Sequence, residues 1–323
     1  VLDGTMASLD AGEESNAGRI FRLLDEARAQ APLSLFYEPG LQWTGWRQTP
    51  DVIQGRGLNR QIRRAYGFLA SRYRPGDRIF LFGYSRGAYA VRSLAGLIDR
   101  VGLLRRDAAI ERNVRAAYRH YQFPTDPAAR AAFVRAHCHD SVVIEMIGVF
   151  DTVKALGWRL PVVWRFSEVE HRFHNDLLGT AVRRGYHALA LDETRAVFAP
   201  VLWTSPPGRD GDVEQVWFRG AHGDVGGQVA GYPAARPLAN IPLVWMLDKA
   251  AARDLPLPPG WRARFPCDPR APMVGPWRGW GRIFLLRHRR VVGRDPSERI
   301  HPAALPAPPA TVLPLPGLPA GPG

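Results

Sequence analysis

An α/β fold with a mainly parallel central sheet and helices on both faces is predicted by three observations in the 323-residue sequence. Short apolar runs alternate along the chain with stretches of helical periodicity. Those runs are continuous rather than alternating, as strands covered on both faces require. Apolar residues make up 46% and charged residues 23%, the balance of a chain that can bury a core rather than stay disordered. The length fits one large domain or two smaller ones.

In chain order, residues 17–29 read as a helix and the apolar run 33–37 as a strand. Residues 59–73 read as a second helix, closed by the turn Pro75-Gly76-Asp77 that leads into an apolar strand at 79–82. Val91, Leu94, Ala95 and Ile98 then recur at i, i+3, i+4, i+7, which places one face of a helix between 88 and 98. Residues 104–140 are rich in Arg and Ala and read as helical, and 158–178 carry Trp158, Trp164 and Phe166 among charges. These two stretches interrupt the alternation and are expected to be lid-like insertions or solvated surface. Further strands are expected at 142–150 and 216–218. From Pro302 the chain is Pro, Ala, Gly and Leu without periodicity, so the expected organisation is a domain over 1–301 and a disordered Pro-rich tail over 302–323.

Lys and Arg total 43 against 30 Asp and Glu, a net charge of +13, yet Lys154 and Lys249 are the only lysines and the arginines are scattered. That pattern reads as compositional bias rather than as a polyanion footprint, and no nucleic-acid module is visible, so no nucleic-acid partner is expected. Two cysteines, Cys138 and Cys267, exclude a disulfide scaffold and a four-thiolate zinc site. The run His137-Cys138-His139-Asp140 is too closely spaced for a closed tetrahedral site and reads as surface histidines. No apolar run reaches the roughly 18 to 20 residues that cross a bilayer, and no leader is visible, which reads as cytoplasmic synthesis. A strand end already at Asp3 reads as a fragment or a misjudged start, so the missing leader carries little weight.

The sharpest local feature is Gly83-Tyr84-Ser85-Arg86-Gly87, between the apolar run 79–82 and the amphipathic helix. Strand, sharp turn and helix hold a serine hydroxyl exposed above a sheet, and the flanking glycines relieve the crowding. The backbone N–H of Arg86, at the helix N-terminus, is then the candidate donor to an oxyanion. A serine nucleophile needs a base and an orienting acid, which in α/β-hydrolases follow in the order Ser, Asp/Glu, His. Asp151 closes the run 142–150, and the run 216–218 leads into Gly220-Ala221-His222-Gly223-Asp224. His222 is the candidate base, while spacing alone leaves Asp151 and Asp224 both open as the acid, with His301 as a rival base. Asp224 also reads as the holder of an Asx turn. Basic and aromatic residues from Trp277 through Arg290 read either as a solvated strand with its turn or as a face for anionic lipid.

Several motifs occur together in order: Asp3-Gly4-Thr5, Gly83-Tyr84-Ser85-Arg86-Gly87-Ala88-Tyr89, Gly148-Val149-Phe150-Asp151-Thr152-Val153 and His187-Ala188-Leu189-Ala190-Leu191-Asp192-Glu193. They continue with Trp217 through Gly227 and with Ile300-His301-Pro302. Residues 1–302 thereby resemble the α/β-hydrolase domain of type VI secretion phospholipase effectors, once a domain of unknown function. The resemblance implies an α/β-hydrolase fold with Ser85 as nucleophile, Asp151 as acid and His222 as base, and so decides between Asp151 and Asp224. It implies a second oxyanion donor at Gly4 or Thr5. It also implies a lipid or phospholipid ester as substrate, an immunity or secretion-carrier partner and export by type VI secretion; acyl transfer by such a triad needs no metal or organic cofactor, and the basic and aromatic residues suit peripheral contact with anionic membrane. Gln228 stands where a third glycine is common, Ala303 replaces a usual serine, and the membrane-anchoring regions of the secreted effectors are missing from the sequence. The alternatives are an esterase of small soluble esters and a binding module that keeps the fold without turnover.

Overall fold

The structure is a computed structural model that describes residues 1–40, 56–123, 125–153, 177–205, 208, 211–277 and 284–305. It is a mixed α/β architecture. Helix α1 (Asn16–Ala27) is followed by α2 (Arg56–Arg72), strand β1 (Ile79–Tyr84) and α3 (Ser85–Val101). Two helices, α4 (Glu111–Gln122) and α5 (Pro127–His137), fill the first expected insertion before β2 (Ile144–Phe150). The second insertion, 158–178, lies outside the described residues apart from its last two. Strands β3 (Gly185–Ala190) and β4 (Val213–Phe218), the short α6 (His222–Gly226), α7 (Arg236–Ala251) and β5 (Glu298–Ile300) complete the order.

The five strands lie in sequence order and pair in parallel throughout. Alternation along each strand sends side chains to opposite faces. Leu81, Ile147 and Val149 face a core shared with Ile62 and Tyr66 of α2, Leu94 and Ile98 of α3, and Val114 and Tyr118 of α4. Phe82, Tyr84, Met146 and Phe150 face the other core, with Ile20 and Leu24 of α1 and Leu243 and Met246 of α7. Helices therefore cover both faces, and β1 and β2 are buried on both, which is why their sequences read as near-continuous apolar runs.

The register sets where the strands end. Tyr84 pairs with Phe150, Phe150 with Ala188, and Ala190 with Phe218, so the C-terminal ends of four strands emerge along one edge. The chain start joins the open side of β1. Leu2 donates to the Phe82 carbonyl at 2.9 Å and accepts from Tyr84 at 3.2 Å, and Asp3 and Glu38 are bonded at 3.0 Å. Residues 33–37, expected as a strand, form none; beside them Glu38 makes a single bridge to Leu2, and the Phe36 carbonyl accepts from the Val1 amino group at 2.7 Å. β3 and β5 are absent from the strands that apolar runs predict. Pro302–Ala304 forms a short 3-10 turn with Ala304 buried, so order continues three residues into the expected tail, and 306–323 lie outside the described residues.

Packing of α3 against the chain start depends on Gly87. A Cβ there would lie 2.2 Å from the Leu2 carbonyl oxygen and 2.4 Å from that of Asp3. Gly67, in α2, has only a Val114 methyl at 3.7 Å. Gly87→Ala is predicted to cost about 1–3 kcal/mol or more by overpacking, whereas Gly67→Ala is neutral or stabilising by about 0.5–1 kcal/mol. Urea unfolding of the two variants side by side checks this.

Candidate active site

β1 ends at Tyr84 and α3 begins at Ser85, whose φ of 56° puts a non-glycine residue in the left-handed region. Such strain persists only where the surroundings impose it. The flanking glycines allow it: a Cβ at Gly83 would meet the Ala88 Cα at 2.7 Å, and Gly87 abuts the Leu2 and Asp3 carbonyls. The turn aims the Ser85 hydroxyl at the strand-end edge. There Ser85 Oγ lies 2.9 Å from His222 Nε2, and His222 Nδ1 lies 2.6 Å from Asp151 Oδ2. Three residues separated by up to 137 positions are thus connected in one line.

Asp151 is fully buried just past β2, with a φ of 40° and its N–H donating to the Ala188 carbonyl at 2.7 Å. Its Oδ1 accepts from the Ala190 N–H at 3.0 Å and from Arg290 Nη1 at 2.5 Å, and its Oδ2 accepts from Arg290 Nη2 at 2.9 Å. Burial alone would push this carboxyl upward. The Arg290 guanidinium and the hydrogen bonds from His222 and Arg290 outweigh burial and hold it well below the usual carboxylate range. An ionised Asp151 accepts from Nδ1–H and leaves Nε2 free to accept the Ser85 proton.

Two aromatic rings pack against the imidazole. Phe198 stacks on it at 4.6 Å between ring centroids, and Tyr84 lies at 5.0 Å on a tilted plane. The His222 backbone N–H donates to Glu193 Oε2 at 3.1 Å, and Glu193 is paired with Arg195 at 2.6 Å. Arg195 in turn sits 4.2 Å over the Phe198 ring. Gly220, at a φ of 115°, makes the turn that leaves β4, where a Cβ would lie 2.6 Å from the Asp224 Cβ. Beside Asp151, His187 Nε2 accepts from the Thr152 N–H at 3.0 Å. Burial, then the charge of Arg92, lower the His187 pKa to about 3, so this histidine is a neutral acceptor.

The rival candidates are placed elsewhere. The Asp224 carboxylate accepts from the N–H groups of Ala221, Val274 and Gly275, at 2.9, 2.7 and 3.1 Å. Burial raises its pKa against those bonds, and it pins the 271–275 loop rather than the imidazole ring. His301 accepts from the Ala303 N–H at 3.1 Å and stacks on Phe218 at 4.7 Å. Gly4 lies against Ser85, a Cβ there falling 3.2 Å from the Ser85 Cβ, but its N–H donates to Asp3 Oδ1 at 2.7 Å. Thr5, beside it, has a buried hydroxyl without a partner among the described residues. Ser15 and Tyr37 also donate to Asp3, fixing this turn. Of the 137–140 run, Cys138 is buried rather than at the surface, and His139 packs edge-on against Tyr73. Among the described residues no three His, Cys, Asp or Glu side chains converge where they could hold a metal ion.

Sequence reading missed Arg290 at the centre of the site: its side chain is 4% exposed and pairs with Asp151, not with a lipid surface. No local signal marks it, since its partner lies 139 residues away. Glu193 carries a signal only as part of the Leu191-Asp192-Glu193 motif.

Residues 1–249 match the family model of the T6SS phospholipase effector Tle1-like catalytic domain. The chain is also similar to an uncharacterized protein of Saccharomyces cerevisiae, 30% identical over 236 residues; the alignment covers 64% of this chain and 32% of the yeast protein. Among solved structures, an uncharacterized protein from Pseudomonas aeruginosa aligns at 16% identity and TM-score 0.46, covering 83% of this chain and 48% of that one. The Tle1 effector bound to the VgrG spike aligns at 20% identity and TM-score 0.35, covering 66% and 40%. Both scores fall below 0.5, too low to assign a shared fold. This chain spans about a third of the yeast protein and less than half of either solved chain.

The lowered Asp151 carboxyl also ties stability to pH. Its contribution is present above the unfolded-chain value of about 3.9 and is lost as pH falls through the lower folded value. The difference in unfolding free energy between the wild type and Asp151→Asn is predicted to shrink as pH falls from about 5 to about 3. Chemical denaturation across that range checks it.

Proposed function

The chain belongs to the T6SS phospholipase effector Tle1-like catalytic-domain family, and we propose that it is a serine hydrolase of α/β-hydrolase fold that cleaves a carboxylic ester of a lipid, with a phospholipid as the substrate class. The observation that carries this reading is the connected line from Ser85 Oγ to His222 Nε2 and from His222 Nδ1 to Asp151, built from three separate strand ends.

In this mechanism the Ser85 oxygen attacks the ester carbonyl while His222 Nε2 takes its proton. Asp151 keeps Nδ1 protonated and stabilises the imidazolium. The oxygen of the tetrahedral intermediate is met by the Arg86 N–H at the start of α3 and by Thr5. With the Gly4 N–H committed to Asp3, Thr5 is the better of the two donors suggested at the chain start. The imidazolium then gives its proton to the leaving alcohol, and water, activated by the same histidine, hydrolyses the acyl-enzyme. The catalytic unit in this reading extends to about residue 301, because β5 and Arg290 lie beyond the residues that match the family. Export by type VI secretion, an immunity partner and contact with anionic membrane are part of the same proposal, drawn from the family. Among the described residues no helix is long and apolar enough to cross a membrane.

A fluorophosphonate probe is expected to label the wild type on the peptide containing Ser85, and Ser85→Ala is expected to stay unlabelled. On a soluble ester, Asp151→Asn is predicted to lower kcat about 10³- to 10⁴-fold. Asp224→Asn should act mainly on stability, with kcat of the folded protein within about tenfold of wild type. An unlabelled but folded wild type sinks the hydrolase reading. A large loss in Asp224→Asn with none in Asp151→Asn reassigns the acid.

A further inference from the structure

Arg290 reaches the site from a segment that the family model does not match. The strap is tied down on both sides. The Ala196 N–H donates to the Leu286 carbonyl at 2.9 Å and the His288 N–H to the Thr194 carbonyl at 2.8 Å. On its far side the Glu298 carboxylate accepts from the N–H groups of Gly293, Arg294 and Asp295 and from Trp217 Nε1. The guanidinium itself is held by four hydrogen bonds. Its Nη1 donates to Asp151 Oδ1 and to the Ala190 carbonyl, and its Nη2 to Asp151 Oδ2 and to the Phe198 carbonyl at 2.6 Å. One group is thus bonded to the acid, to the end of β3 and to the residue whose ring stacks on His222.

From this geometry we infer that Arg290 is a positioning residue for the proposed ester hydrolysis, acting through Asp151 to fix the carboxylate against His222 and to keep it ionised in a fully buried position. A buried carboxylate without a cation is pushed toward its neutral form, and a neutral Asp151 cannot accept from Nδ1–H. The two-bond fork also sets the plane of the carboxylate, and so the direction from which Oδ2 meets the imidazole. Removing Arg290 therefore lets Asp151 take up a proton at higher pH, which withdraws the working form there.

The test is the pH profile of kcat/KM on a soluble ester for the wild type, Arg290→Met, Arg290→Lys, Asp151→Asn and the double variant, with folding followed by circular dichroism. Arg290→Met is expected to lose about a hundredfold in kcat/KM, chiefly in kcat, and its acid limb to move up by about one pH unit. Arg290→Lys keeps the charge but not the fork; it should recover the position of the limb and only part of the rate. In the Asp151→Asn background the further loss from Arg290→Met should be under about threefold, because the residue acts through the acid. A merely structural strap anchor would lower stability, leave the acid limb of folded protein unmoved and cost as much in either background; that result overturns the inference. If Arg290→Met does not fold, Arg290→Lys in the two backgrounds decides by the same comparison. An active wild type with unmoved variants sinks the inference alone, whereas a folded wild type without turnover sinks the hydrolase reading and the inference with it.

Discussion

A carboxylate buried completely at the C-terminal end of β2 sets terms that the rest of the site has to meet. Such a group costs several kcal/mol unless a cation and hydrogen-bond donors surround it. Asp151 has them from three directions: the Arg290 fork, the Ala190 N–H and the His222 ring. The Ala190 donor comes from the neighbouring strand because parallel pairing brings β3 out beside β2. The cation comes from a strap folded back from beyond α7, and the imidazole from the loop after β4. Were any of the three displaced, the carboxylate would lose either its charge or its aim.

Local strain is concentrated at the same edge. Ser85 and Asp151 both have positive φ, each immediately after a strand, and each side chain is hydrogen-bonded to His222. Residues other than glycine seldom adopt that backbone. What holds them there is packing on either side: α3 pressed onto Leu2 and Asp3, and the Asp151 N–H bonded across to Ala188. Fold and chemistry are in this sense one problem, since the sheet register that buries Phe82, Phe150 and Phe218 also levels the strand ends.

Much of this is legible in the residues. The runs that form β1, β2 and β4 are largely apolar, because each is covered on both faces, and the periodicity of α3 follows directly from Val91, Leu94, Ala95 and Ile98. Ser85 can be placed because its pentapeptide sits between two such signals. β3 cannot be read from apolarity: Gly185-Tyr186-His187 breaks the run, and His187 is buried there as a neutral acceptor for Thr152. β5, three residues long, is too short to show a pattern. Spacing leaves Asp151 and Asp224 open because both follow strands. They differ only in three dimensions, one facing a ring and the other three backbone amides. Arg290 reads, with its neighbours, as solvated or lipid-facing because arginine's type does not reveal which acid its head will meet.

Family membership gives a phospholipase effector context, and the proposed mechanism predicts one chemical species, an acyl group bonded to Ser85 Oγ. Intact-mass measurement of protein mixed briefly with an activated acyl ester and quenched in acid tests for it directly. A mass increase equal to one acyl group is expected, mapped to the Ser85 peptide and vanishing in Ser85→Ala. Ester hydrolysis by folded wild type with no acyl adduct on Ser85, and with turnover unchanged in Ser85→Ala, would contradict it.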